Sequence, residues 1–144
     1  MDIIYHASDG TEFNDEDECK LYEKHLEEIK SDKSAESYIA LGLSISKYEE
    51  YDEAIKYFKK ALELDNHNPD IYSYIGDCKY DLEEYEEAIE WFKGSIHLDD
   101  QDPYPYKSIG NCKHDLEEYE EASKYFKHAI ALEDTRSYSK KEIY

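Results

Sequence analysis

The stretch Asp81-Leu82-Glu83-Glu84-Tyr85-Glu86-Glu87-Ala88 returns unchanged as Asp115-Leu116-Glu117-Glu118-Tyr119-Glu120-Glu121-Ala122, 34 residues further on. Working outward from it, Pro69–Asp102 and Pro103–Arg136 agree at more than half of their positions, and Ala35–Asn68 joins them in the same frame. Tyr38, Tyr72 and Tyr106 share one column, followed by Gly42, Gly76 and Gly110, then Ala54, Ala88 and Ala122, then Phe58, Phe92 and Phe126. A fixed period in this range marks stacked supersecondary units. Such stacks make surfaces for partners and rarely carry catalytic constellations.

Inside a unit the apolar spacing is helical. Ile71, Ile75, Cys78 and Leu82 recur at steps of three and four, and Tyr85, Ala88, Phe92, Ser95 and Ile96 do the same beyond an acidic break at Glu83–Glu84. Each unit therefore reads as a helix, a tight turn and an antiparallel second helix. The column glycines fall inside the first helix, where glycine costs about 1 kcal/mol relative to alanine. Close approach of the paired helices, with Ala54, Ala88 and Ala122 opposite, is the expected reason. Pro69 and Pro103 fall at the start of a first helix, where the missing N–H does no harm.

These columns resemble the tetratricopeptide repeat family, whose signature is an aromatic, Leu-Gly, Tyr, then Ala-x3-Phe and a closing Pro. Here it reads Tyr38-x2-Leu41-Gly42, Tyr72-x2-Ile75-Gly76 and Tyr106-x2-Ile109-Gly110, followed by Ala54-x3-Phe58, Ala88-x3-Phe92 and Ala122-x3-Phe126. The family's Tyr late in the first helix is replaced by Ile45, Lys79 and Lys113, lysines expected to change what the groove displays; the Pro slot holds Asn66, Asp100 and Asp134. The resemblance implies an all-α fold: a right-handed helix-turn-helix solenoid of three units, residues 35–68, 69–102 and 103–136, behind a small N-terminal β-hairpin and helix. It also implies a concave groove that holds a partner peptide or helix. Lining it would be Ile39, Leu43 and Lys47, then Ser73, Asp77 and Tyr80, then Lys107, Asn111 and His114. Tyr74, Tyr80 and Tyr104 fill no repeat slot and become contact candidates, since aromatics are enriched at binding hot spots. Lys107 and Asn111 match the first pair of the family's clamp for chaperone C-terminal carboxylates, but Ile39 and Leu43 in the first unit leave that clamp incomplete.

Residues 1–34 lie outside the repeat. Ile3–Ala7 reads as extended, Ser8-Asp9-Gly10 as a turn and Thr11–Phe13 as a returning strand. Asn14 or Asp15 then caps a helix with the stripe Cys19, Tyr22, Leu26 and Ile29. The module is a cap on the first repeat or a separate recognition element. His6, Cys19 and His25 lack the fourth ligand and paired spacing of a zinc site. Residues 137–144 read as a partial C-terminal cap helix. Ile143 and Tyr144 would cover part of an apolar edge at Phe126, Ile130 and Leu132, and that edge suggests end-to-end association into homo-oligomers.

The formal charge of −20 excludes a phosphate-binding surface and with it nucleic acid. Much of the acid lies in Glu49–Glu53, Asp81–Glu87 and Asp115–Glu121, which open helices and complement the positive end of the macrodipole. No run spans a membrane and no secretory leader is evident, so the cytoplasm is the default compartment. Cys78 and Cys112, one repeat apart, are too far apart for a disulfide and read as packing residues, with no metal or cofactor implied. There is no phosphate loop, no HExxH and no nucleophile elbow, so an enzyme is not expected. The function read from the residues is non-enzymatic protein–protein interaction through the groove. The alternatives are an assembly scaffold using the C-terminal edge, or a client-specific chaperone.

Overall fold

Each 34-residue block folds into two helices because its hydrophobic stripe switches face at the acidic break. The computed structural model describes residues 2–142, with Ser31 and residues 137–142 given by backbone alone. In chain order the elements are β1 (Tyr5–His6), β2 (Glu12–Phe13), α1 (Glu16–Ser31), α2 (Ala35–Ser46), α3 (Tyr51–Leu64), α4 (Pro69–Asp81), α5 (Tyr85–Leu98), α6 (Pro103–Asp115) and α7 (Tyr119–Glu142). The fold is all-α apart from the two-stranded hairpin, and α2/α3, α4/α5 and α6/α7 are the three helix pairs. The chain divides into two compact units, Met1–Asn66 and His67–Tyr144.

In the first unit the hairpin forms as its sequence suggests. Tyr5 pairs with Phe13 and His6 with Glu12, antiparallel, across a turn in which Gly10 takes φ 93°. A two-stranded sheet this short cannot stand alone, and here α1 holds it. Asp15 caps α1 by accepting from the amides of Asp17 and Glu18. Fully buried Tyr22 donates to Asp9 Oδ2 at 2.7 Å, its ring 5.0 Å from Phe13. The Ser8 backbone N–H and hydroxyl both donate to Glu23. Phe13 also meets Tyr48 edge-on at 6.2 Å, so the module packs against the first helix pair.

The second unit stacks α4/α5 against α6/α7 around a buried cluster of Ala88, Ile89, Phe92, Ile109 and Cys112. Pro69 and Pro103 open α4 and α6, with Asn68 and Asp102 as side-chain caps. The signature tyrosines lean on their second helices: Tyr38 on Tyr57, Tyr72 on Trp91, and Tyr106 on His128 at 4.1 Å.

Four details differ from the sequence reading. A Cβ on Gly42, Gly76 or Gly110 would lie 2.5–2.7 Å from the ring of Phe58, Phe92 or Phe126, so the glycines make room for the column phenylalanine and not for the column alanine. The acidic segments do more than open helices. Glu49, Glu83 and Glu117 take φ of 61–63° in the turn itself. There the Glu84 N–H bonds back to the Lys79 carbonyl at 2.9 Å and Glu83 N–H to Tyr80, a Schellman closure whose left-handed position usually carries glycine. Lys79 and Lys113 stay within their own repeat. Lys79 pairs with Glu84 and Glu87 at 2.7 and 2.8 Å, and Lys113 with Glu118 and Glu121 at the same distances. Finally, residues 137–142 form no separate cap helix, because α7 runs unbroken from Tyr119 to Glu142. No proline or glycine interrupts it there. Ile143 and Tyr144 lie outside the described residues. Ile130, on the same helix, is 56% exposed.

Candidate partner-binding groove

The first helices α4 and α6 of the second unit lie side by side, and two tyrosines tie them together. Tyr104, in the first turn of α6, donates its hydroxyl to Asp77 Oδ1 at 2.7 Å. Tyr80, in the last turn of α4, donates to Asp115 Oδ2. Between these bonds opens a cleft of about 340 Å³, lined from α4 by Asp77, Tyr80 and Asp81 and from α6 by Tyr104, Ser108 and Asn111, with Phe92 of α5 reaching it. Tyr104 is 48% exposed and Asn111 is exposed, so the cleft opens to a surface another chain can reach.

Asp77 differs from the solvated carboxylates elsewhere. Burial pushes its carboxyl up to about 6; the Tyr104 hydrogen bond opposes the rise and the neighbouring Asp81 charge adds to it. Tyr104 and Tyr80 in turn hold their protons more tightly than ordinary tyrosines, Tyr104 chiefly through burial and Tyr80 chiefly through its bond to Asp115.

A stability consequence follows. The folded-state pKa of Asp77 lies above its unfolded value, so the folded state holds the proton more firmly. Stability is then lost as pH rises from about 4 to 6, and the full cost remains at neutral pH. Asp77→Asn keeps an acceptor for Tyr104 and removes the charge. It is expected to stabilise the protein by about 1–2 kcal/mol at pH 7, with the gain vanishing near pH 4. Urea unfolding of both proteins at the two pH values checks this; an equal gain at both would contradict it.

The predicted groove residues divide. Asp77, Tyr80, Tyr104 and Asn111 come together at the cleft. Tyr74 is half-buried on α4, while Lys107 and His114 are exposed on α6. Ser73 is not a groove residue: it is 6% exposed and its hydroxyl donates to Ser95 at 3.0 Å between α4 and α5. In the first unit, Ile39 and Leu43 lie on α2 with Lys47 as its C-cap, and Leu43 is 40% exposed. Three further residues line the cleft, namely Asp81, Phe92 and Ser108. Phe92 belongs to the signature column, which points to packing. Asp81 is hidden from column reasoning because Asp115 repeats it, and Ser108 carries no distinguishing signal.

A second cleft of about 490 Å³ is lined by Lys93 of α5, Lys113 of α6 and Glu121, Lys124, Tyr125 and His128 of α7. Its charge is largely answered in place, with Lys113 paired to Glu118 and Glu121 and Lys93 near Glu90. Cys78 and Cys112 are buried free thiols, pushed up to about 12 chiefly by burial, which leaves them as packing groups. Among the described residues no helix is long and apolar enough to cross a membrane.

Comparison with known proteins bears on this geometry. Two tetratricopeptide repeat models match the chain, at residues 47–112 and 106–135. No curated protein sequence matches significantly. Among solved structures, a crystal structure of MamA is 28% identical with a TM-score of 0.76, over 81% of this chain and 68% of its own. The Arabidopsis OM64 tetratricopeptide domain is 22% identical with a TM-score of 0.66, over 69% of this chain and 83% of its own. The second such domain of Spaghetti (RPAP3), solved with the HSP90 peptide SRMEEVD, is 22% identical with a TM-score of 0.65, over 74% and 98%. With the helix pairs, the signature columns and matches that together span residues 47–135, the chain belongs to the tetratricopeptide repeat family.

Proposed function

We propose that this protein is a non-catalytic protein–protein interaction module that takes a peptide segment of its partner along the α4–α6 face. The observation that carries the reading is the cleft itself. Of its accessible residues, Asp77, Tyr80, Tyr104 and Asn111 come from columns where the repeats differ, and Asp81 from one that the third repeat shares. A concave site with a few convergent polar groups is the usual form of a recognition surface. The peptide bound to the Spaghetti domain shows that a relative of this fold takes a short linear segment. The Ser108 hydroxyl donates to the Tyr104 carbonyl, and the Tyr104 and Tyr80 hydroxyls, which hold their protons more tightly than ordinary tyrosines, donate to Asp77 and Asp115.

The test is selection of a random displayed peptide library on the full chain. Asn111→Arg alters an exposed side chain of the cleft and should leave the thermal midpoint unchanged. Affinity for the selected peptides is expected to fall at least about tenfold, as when a central contact is blocked by a bulky charged side chain. Unchanged affinity would place binding elsewhere.

A further inference from the structure

We infer that the α4–α6 cleft receives a cationic side chain, the ammonium of a lysine or the guanidinium of an arginine, from the bound peptide. This rests on the groove reading above and names its ligand.

The walls are complementary to one long organic cation. Asp77, Tyr80 and Asp81 line it from α4, and Tyr104, Ser108 and Asn111 line it from α6. Tyr104 donates its one hydroxyl hydrogen bond to Oδ1 of Asp77, and a carboxylate offers about four lone-pair sites, so acceptor capacity remains for an incoming N–H. Among the described residues that line the cleft there is no lysine, arginine or histidine. A methylene stem can pass along the aromatic surface while its charged head meets the carboxylates, the usual division in a bound lysine or arginine.

Two other occupants fit less well. A hard metal ion needs several converging oxygen ligands, and no such group of three exists among the described residues. An acidic segment, like the SRMEEVD peptide of the Spaghetti domain, would bring carboxylates against Asp77 and Asp81. The acid is also particular to this repeat, since the Asp77 column holds Leu43 and Asn111 in the other two.

The same displayed library, selected on the full chain, reads the chemistry directly. Enriched peptides are expected to share a lysine or arginine at one position. Replacing it with norleucine should weaken binding about tenfold or more, the worth of a charge-assisted hydrogen bond. Exchanging lysine and arginine decides which head group fits. Asp77→Asn with Asp81→Asn should weaken the selected peptide by a similar factor. Glu86→Gln with Glu120→Gln, an equal charge change on the second helices, should leave it within about twofold, which separates the cleft from the general negative field. Enriched peptides without a cation, or with full affinity for the doubly neutralised cleft, would overturn the inference, while loss on Asn111→Arg would still uphold the groove. A library that yields no enriched peptide overturns both.

Discussion

Replacing Phe92 with alanine is expected to lower the unfolding free energy of the His67–Tyr144 unit by about 3–5 kcal/mol. Phe92 is 1% exposed, and its ring fills the space between α4 and α5 while joining the cluster with Ile109 and Cys112 of α6. Truncation removes transfer energy from a fully buried ring and leaves a cavity at the junction of two repeats. Repeat proteins draw stability from such junctions and from the fold of each repeat, so one residue that serves both is costly to lose. Since a domain is held by only about 5–15 kcal/mol in all, the variant should sit near the edge of folding. Urea denaturation followed by circular dichroism measures the loss. A cost under about 1 kcal/mol would mean that Phe92 does not hold the junction.

Gly76→Ala is expected to destabilise by about 2 kcal/mol, against the gain of roughly 1 kcal/mol that helix propensity alone would give. The added Cβ would sit 2.7 Å from Phe92 Cε1 and 2.9 Å from Cδ1 and Cζ, too close for any carbon contact. Phe92 is packed against Ile109 and Cys112 of α6, so its ring moves only at the expense of those contacts. Pairing the change with Phe92→Leu should recover part of the loss, giving a coupling energy above about 1 kcal/mol in a double-mutant cycle. Additive effects would show that the glycine and the phenylalanine do not share one space.

The helix pairs were legible because the 34-residue period exposes which positions every unit keeps. Gly76 and Phe92 announced a close packing by recurring together, yet the columns could not say that the two touch each other; Ala88 was the more obvious partner by size. The left-handed Glu83 could not be read at all, since glutamate is a poor residue for that conformation and the turn is closed by backbone bonds and Lys79. Ser73 left a signal that column reading by itself passed over: its column and that of Ser95 both become serine in the same repeat, as a buried hydroxyl pair requires. The cleft was half legible. Asp77, Tyr80, Tyr104 and Asn111 stood out as departures from the repeat. The bonds Tyr104–Asp77 and Tyr80–Asp115 join neighbouring repeats, and how far one repeat is rotated against the next is not written in any column. The raised carboxyl of Asp77 follows from that rotation, because burial is what moves it.

On the proposed function the partner segment lies along the α4–α6 face, and amide hydrogen exchange on the full chain, with and without a library-selected peptide, locates it. Protection gained over Asp77–Asp81 and Tyr104–Asn111, with the hairpin and the end of α7 unchanged, is the expected result. Protection confined to the hairpin or to α7 around Ile130, with none on α4 or α6, would contradict it.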